Sequence, residues 1–185
     1  MRGALVGGLA ALRYLYRMVL TIRAFAGFVL MASVTVLGAA LVSQYWGGLL
    51  PCELCLLQRW PWAAAIAISL VALLVGSRAA LPWFALVLAI VFALGVAFAF
   101  YHVGVEQHWF AGPSACTASS GGALTVEDMK RLIIGTQPVL CDRVQWSLFG
   151  VSMAGWNLLA SLGMAAICAA VFLRTRRPAS QAIAA

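Results

Sequence analysis

The sequence predicts an all-α integral membrane protein, a four-helix transmembrane bundle with one long outer loop that carries a short surface helix. Three observations lead there. Hydrophobic residues make up 64% of the 185 and charged residues only 9%, against roughly a quarter charged in a water-soluble domain. Four apolar stretches each supply the ~20 residues that a ~30 Å hydrocarbon core requires. The few charges sort to the two ends of those stretches instead of forming a nucleic-acid-binding patch, although the net charge is +7.

Taken in order, residues 1–23 read as a basic cytoplasmic or interfacial segment. Leu9, Leu12, Tyr16 and Val19 recur at helical spacing, and Arg13 and Arg17 stack four apart on another face. An extension without function, with Met18 as the true start, fits the same residues. Span one covers about Ala24 to Tyr45 and carries no charge. The small-residue run Gly38-Ala39-Ala40 raises a cleaved signal sequence as a rival, but the apolar stretch is long for one. The turn Gly47-Gly48-Leu49-Leu50-Pro51 is short. Span two covers about Leu56 to Gly76, with Arg59 near its start. A shorter turn at Ser77-Arg78 leads to span three, about Leu81 to Tyr101, with Pro82 suited to a first helical turn. Such short turns force antiparallel neighbours.

The outer loop, about His102 to Ser147, is long enough to imply a role. Gly112-Pro113 and Gly121-Gly122 break it up. Thr125-x-x-Asp128 resembles a capping box, which predicts a short surface helix over about Val126 to Ile134. Span four covers about Leu148 to Leu173, and residues 174–185 form a tail. The membrane domain is therefore 24–173, without internal repeats.

With four spans, Arg2, Arg13, Arg17, Arg23, Arg78, Arg174, Arg176 and Arg177 share one side, free of acids. Arg59, Lys130, Arg131, Arg143 and all five acids share the other. The positive-inside rule then puts both termini in the cytoplasm. Two cysteine pairs face outward, where disulfides persist in bacteria. One is Cys52-Glu53-Leu54-Cys55, at the start of span two. The other is Cys116 and Cys141 in the outer loop.

The C-x-x-C spacing permits a small disulfide ring, and a helix start favours a thiolate at Cys55. Arg59 lies one turn on, a permanent charge that costs about 2.5–3.5 kcal/mol at mid-membrane and less at its edge. Snorkelling to the surface is its bland explanation. The neighbouring thiols favour a functional one, in which Arg59 donates hydrogen bonds to a quinone carbonyl beside an apolar wall of Leu56, Leu57, Trp60 and Trp62. Cys116 and Cys141 have 24 residues between them. They fit a structural staple worth roughly 3–4 kcal/mol, or, beside an outward C-x-x-C, an exchanging pair. His102 is a candidate to assist the quinone, with Glu106 behind it. Cys168, alone in span four, reads as a packing residue. Haem attachment is unsupported, since Leu56 follows Cys55 where a histidine is needed.

Pro51-Cys52-x-x-Cys55-x-x-Gln58-Arg59, and Cys141 followed by Trp146-x-x-Phe149-Gly150-x-Ser152-Met153-x-x-Trp156, resemble the disulfide bond formation protein B (DsbB) family, quinone-dependent thiol oxidases of the bacterial inner membrane. The vitamin K epoxide reductase family shares the chemistry, but its loop cysteines precede the C-x-x-C. Ala154 departs from the proline of many DsbB relatives, and the basic N-terminus is extra. The resemblance implies that the outer loop is periplasmic, and that a soluble DsbA-like thioredoxin-fold partner attacks a Cys116–Cys141 disulfide. It implies that Cys116 takes the mixed disulfide and Cys141 exchanges with Cys52. Cys55, freed beside Arg59, then contacts ubiquinone or menaquinone from the membrane pool. A dedicated relative serving one specialised thiol partner is also open. Two readings of other classes compete: a metal-binding membrane protein using the four outward cysteines, and a structural protein stapled by two disulfides. The leading reading assigns no metal site and no nucleic-acid partner.

Overall fold

The computed structural model describes residues 22–75, 77–113, 126 and 139–176. Most of the basic N-terminal segment, Cys116, and the expected surface helix except Val126, which is helical, lie outside the described residues. The elements are α1 (Ile22–Tyr45), α2 (Glu53–Leu57), α3 (Arg59–Val75), a 3₁₀ turn (Arg78–Ala80), α4 (Leu81–Glu106), a two-stranded hairpin of β1 (Ser147–Leu148) and β2 (Val151–Ser152), and α5 (Met153–Arg176).

Among the described residues, four helical units are long and apolar enough to cross a membrane: α1, α2 with α3, α4, and α5. Their outward faces carry apolar side chains such as Met31, Leu74, Ile90 and Leu159, which a bilayer would solvate and water would not. Trp46, Trp60, Trp109 and Phe149 are exposed toward the end of the bundle that holds the thiols, as an interfacial aromatic belt requires. At the opposite end, the Arg176 guanidinium lies 4.4 Å from the centre of the Trp83 ring.

The core explains the packing order. Ala26 and Val29 of α1, Trp62 and Ala65 of α3, Ala85, Leu88 and Phe92 of α4, and Met164 and Cys168 of α5 form one buried cluster. Alternating small and large side chains let the helices approach closely. Gly95 marks a close approach between helices: a Cβ there would stand 3.2 Å from Ser161 Oγ and 3.3 Å from Pro61 Cβ.

Three boundaries differ from the sequence expectation. Span two starts at Glu53, and its helix is interrupted at Gln58. Pro61 lacks the N–H that would bond the Leu57 carbonyl, which accounts for the loosened turn. Span three continues to Glu106, five residues beyond Tyr101, so His102 and Glu106 lie on a helix and not in the outer loop. Span four starts at Met153, five residues past the expected Leu148. The chain between them turns through Phe149 (φ 52°) and Gly150 (φ 76°). Both are left-handed, the geometry of a type I′ hairpin. Ser147 pairs with Ser152, and Leu148 with Val151. Ser152 Oγ then accepts from the Gly155 N–H at 3.0 Å, a helix cap in a start that needs no proline.

Candidate active site

The hairpin, the start of α2 and the last turn of α4 converge at one end of the bundle. Cys52 is the residue before α2. Its backbone is extended (φ −76°, ψ 172°), and its sulfur accepts from the Cys55 N–H at 3.2 Å. The thiol therefore occupies the capping position that a serine or aspartate oxygen usually fills. The turn brings Cys52 Sγ to 2.8 Å from Cys55 Sγ, under 1 Å beyond a disulfide bond length of about 2.05 Å. Both thiols are free.

Cys141 arrives from the loop and is buried against the same spot, with Leu54 and Val105 as apolar walls. Its side chain hydrogen-bonds Cys52. That contact, then the one with Cys55, then burial, push the Cys52 thiol well above the ordinary thiol range. Three of the four predicted cysteines are thus brought together, in the order Cys141, Cys52, Cys55. Cys116, the fourth, lies outside the described residues.

Cys52, Cys55 and Arg59 line one cleft with Leu49, Leu50 and Met153, and His102, Glu106 and Arg143 also reach it. Arg59 Nη1 donates to Gln44 Oε1 at 2.6 Å, using one of its five N–H donors. The last turn of α1 therefore fixes the guanidinium at the cleft. The expected apolar wall is only partly right. Leu56, Leu57 and Trp60 face outward. Trp62 is buried and points into the bundle, because it stands four residues after inward-facing Gln58.

His102 is buried and lines the same cleft as Arg59. Its Nε2 lies 3.7 Å from Cys52 Sγ and 3.9 Å from Glu106 Oε1. Its Nδ1 meets Gln58 Nε2 in a short hydrogen bond. The other Glu106 oxygen accepts from Ser152 Oγ, tying α4 to the start of α5. Sequence reasoning gave no role to Gln44, Gln58, Ser152 or Asn157. Each is a polar side chain within or beside an apolar span, and that rarity is the signal that marks them. Cys52 Sγ, Cys55 Sγ and His102 Nε2 lie within 4.8 Å of one another, a spacing that invites comparison with thiophilic metal sites.

A C-x-x-C whose first sulfur also meets a loop cysteine is built for thiol exchange. The family model for Disulfide bond formation protein DsbB matches residues 22–171. The chain belongs to the DsbB family. Its similarity to Disulfide bond formation protein B of Stutzerimonas stutzeri (strain A1501) is 29% identity, over 78% of this chain and 90% of the relative. With Disulfide bond formation protein B of Verminephrobacter eiseniae (strain EF01-2) it is 29%, over 87% and 92%. With that of Methylococcus capsulatus (strain ATCC 33009 / NCIMB 11132 / Bath) it is 32%, over 76% and 86%. No solved structure gives a significant match. Membership makes this DsbB-family chain a disulfide-forming oxidoreductase of the membrane.

Proposed function

We propose that this chain reoxidises a soluble, periplasmic DsbA-like dithiol protein and passes the electrons through Cys116–Cys141 and Cys52–Cys55 to a membrane quinone. One observation carries the reading: a loop sulfur, Cys141, meets Cys52, which meets Cys55, at a cleft that also holds Arg59. The arginine asymmetry supports the sidedness, with both termini cytoplasmic and the thiol end of the bundle facing the periplasm.

Each exchange is a balanced displacement. A partner thiolate attacks Cys116, forming the mixed disulfide, breaking Cys116–Cys141 and leaving Cys141 as thiolate. Cys141 attacks Cys52, breaking Cys52–Cys55, and the electron pair leaves on Cys55 beside Arg59. The partner's second thiolate attacks its own first sulfur, breaking the mixed disulfide, expelling Cys116 as thiolate and releasing the oxidised partner. Cys116 then attacks Cys141, re-forming Cys116–Cys141, breaking Cys52–Cys141 and leaving Cys52 as thiolate. When bound, ubiquinone or menaquinone supplies an acceptor for two electrons and two protons, so that Cys52 and Cys55 close again as a disulfide. The cleft fits such a ring: Leu49, Leu50 and Met153 offer apolar surface, and Arg59 offers donors for developing negative charge. A DsbA-like couple lies near −120 mV, already strongly oxidising, so an acceptor of higher potential must drive the cycle, at about 1.4 kcal/mol per 30 mV.

The test is oxidation of a reduced DsbA-like protein by the purified full chain, followed by quinone absorbance. Turnover that requires added quinone is expected. Equal thiol oxidation without it, or in Cys55→Ser, would remove the proposal.

A further inference from the structure

Trp62 and Asn157 lie away from the sulfurs, yet they begin a hydrogen-bond chain that ends on one. An indole N–H can only donate. Trp62 Nε1 donates to Asn157 Oδ1 at 2.8 Å, so Asn157 presents Nδ2 to its next neighbour. Nδ2 donates to Gln58 Oε1 at 2.6 Å. Gln58 must then turn its own amide nitrogen toward His102 Nδ1. A second contact fixes the same orientation independently: Gln58 Nε2 also donates to the Leu54 carbonyl at 3.3 Å, and a carbonyl can only accept. Facing a donor, His102 Nδ1 must present a lone pair. The ring is therefore neutral, with its one proton on Nε2. The groups facing Nε2 suit a donor there: the Cys141 backbone carbonyl, which also meets the ring, Cys52 Sγ at 3.7 Å and Glu106 Oε1 at 3.9 Å.

We propose that Trp62, Asn157 and Gln58 are positioning residues that lock His102 in the Nε2–H tautomer and so set that N–H between the Cys141 carbonyl and Cys52 Sγ. The kinetic consequence rests on the oxidase reading above. When Cys116 attacks Cys141 of a Cys52–Cys141 disulfide, the Cys116–Cys141 bond forms, Cys52–Cys141 breaks and the electron pair goes to Cys52. His102 donates a hydrogen bond to that departing thiolate without giving up its proton. Gln58 and Trp62 are buried on the same inward face of the bundle and Asn157 between them is half-buried, so the chain is largely withdrawn from water. The lock also bears on the metal reading, because a ring nitrogen that holds a proton cannot ligate an ion.

The chain contains two histidines, so His108→Asn leaves His102 as the only one; His108 has positive φ, which asparagine tolerates. In this full-length background, ¹⁵N NMR of labelled histidine is expected to show a protonated Nε2 and a bare Nδ1. Asn157→Asp replaces the donor with a carboxylate that only accepts. It turns Gln58 around and is expected to move the proton to Nδ1. Trp62→Phe frees Asn157 to rotate and is expected to give a mixture. Turnover with a reduced DsbA-like protein should fall about tenfold in kcat for Asn157→Asp, less for Trp62→Phe, with the quinone KM unchanged. A parent spectrum with Nδ1 protonated, or an inverted tautomer with full kcat, overturns the proposal. If the parent shows Nε2–H but never reduces quinone, the oxidase reading fails and the tautomer lock stands.

Discussion

Cys168 and Cys52 are both buried thiols, at 0% and 3% exposure, and they differ in everything else. Cys168 lies in the middle of the bundle among Leu88, Phe92, Met164 and Val171. Cys52 lies at one end, with Cys55, Cys141 and His102 within reach. Burial is common to both, so burial does not make the site. What distinguishes Cys52 is company: two more sulfurs, an imidazole nitrogen, and a fixed guanidinium along the same cleft. The mid-bundle region needs only fit. The thiol end combines fit with oriented polar groups, and three helices and a hairpin cooperate to hold them.

The largest effect should come from removing the exchange partner. Cys52→Ala is expected to abolish disulfide transfer, because Cys141 loses the sulfur it attacks and Cys55 loses the one it pairs with. The bundle should persist, since Cys52 is not part of the mid-bundle core. Helical circular dichroism and thiol oxidation together check this. Full activity in Cys52→Ala would erase the contrast between the two cysteines.

Next in size is the charge at the cleft. Arg59→Met preserves length and apolar stem but removes the cation and its bond to Gln44 Oε1. Loss of a preorganised donor at developing charge typically costs about 10²–10³-fold. Quinone reduction is expected to fall about a hundredfold, while exchange between a reduced partner and the loop cysteines continues in a single turnover. Unaltered quinone reduction would detach Arg59 from the acceptor and return it to snorkelling.

A smaller, pH-dependent difference should separate the two cysteines of the C-x-x-C. Contact with Cys141 and Cys55, together with burial, raises the Cys52 thiol. A raised thiol pKa favours the protonated form, so Cys52 should hold less thiolate at any given pH than an ordinary thiol titrating near 8.5. In the reduced protein, alkylation at pH 7–8 should mark Cys55, which is partly exposed, ahead of Cys52. Mass mapping after a short pulse checks the order. Cys141→Ala removes the first cause of the shift and should speed alkylation at Cys52.

The parts legible in the sequence are those that depend on local pattern. Four apolar stretches of spanning length, Pro82 in the first turn of α4, and the C-x-x-C before an arginine need no tertiary knowledge. The misreadings arise where distant segments decide. His102 and Glu106 were placed at the loop because apolar residues thin out after Tyr101, yet contacts with Cys52, Gln58 and Ser152 carry α4 on to Glu106. The hairpin before α5 escaped notice because its strands have two residues each and its turn uses Phe149, not the Asn-Gly that announces a type I′ turn. Trp62 reads as part of the apolar wall for a quinone by its nearness to Arg59 in sequence, although its four-residue spacing from Gln58 puts both on one inward face. Asn157 carried a signal that was overlooked: a polar amide in an apolar span must find partners, and it found Trp62 and Gln58.

The smallest effect belongs to the other buried thiol. Cys168→Ala removes one sulfur from a packed site and leaves its neighbours in place. A lost heavy atom of that size should cost about 1 kcal/mol through lost contacts and a small cavity. Oxidase turnover should match the parent at temperatures where both are folded, because Cys168 is buried among mid-bundle apolar side chains and does not line the cleft. Thermal unfolding in detergent would read the first quantity, and quinone-linked oxidation the second. Cys168→Ser sharpens the test. Serine nearly keeps the volume but brings a hydroxyl among apolar side chains, and within a helix it can bond the carbonyl four residues back. Its cost should therefore resemble that of alanine. A large loss of oxidase activity in both variants, with unfolding unchanged, would make Cys168 part of the redox chemistry and dissolve the distinction between a thiol that packs and a thiol that exchanges.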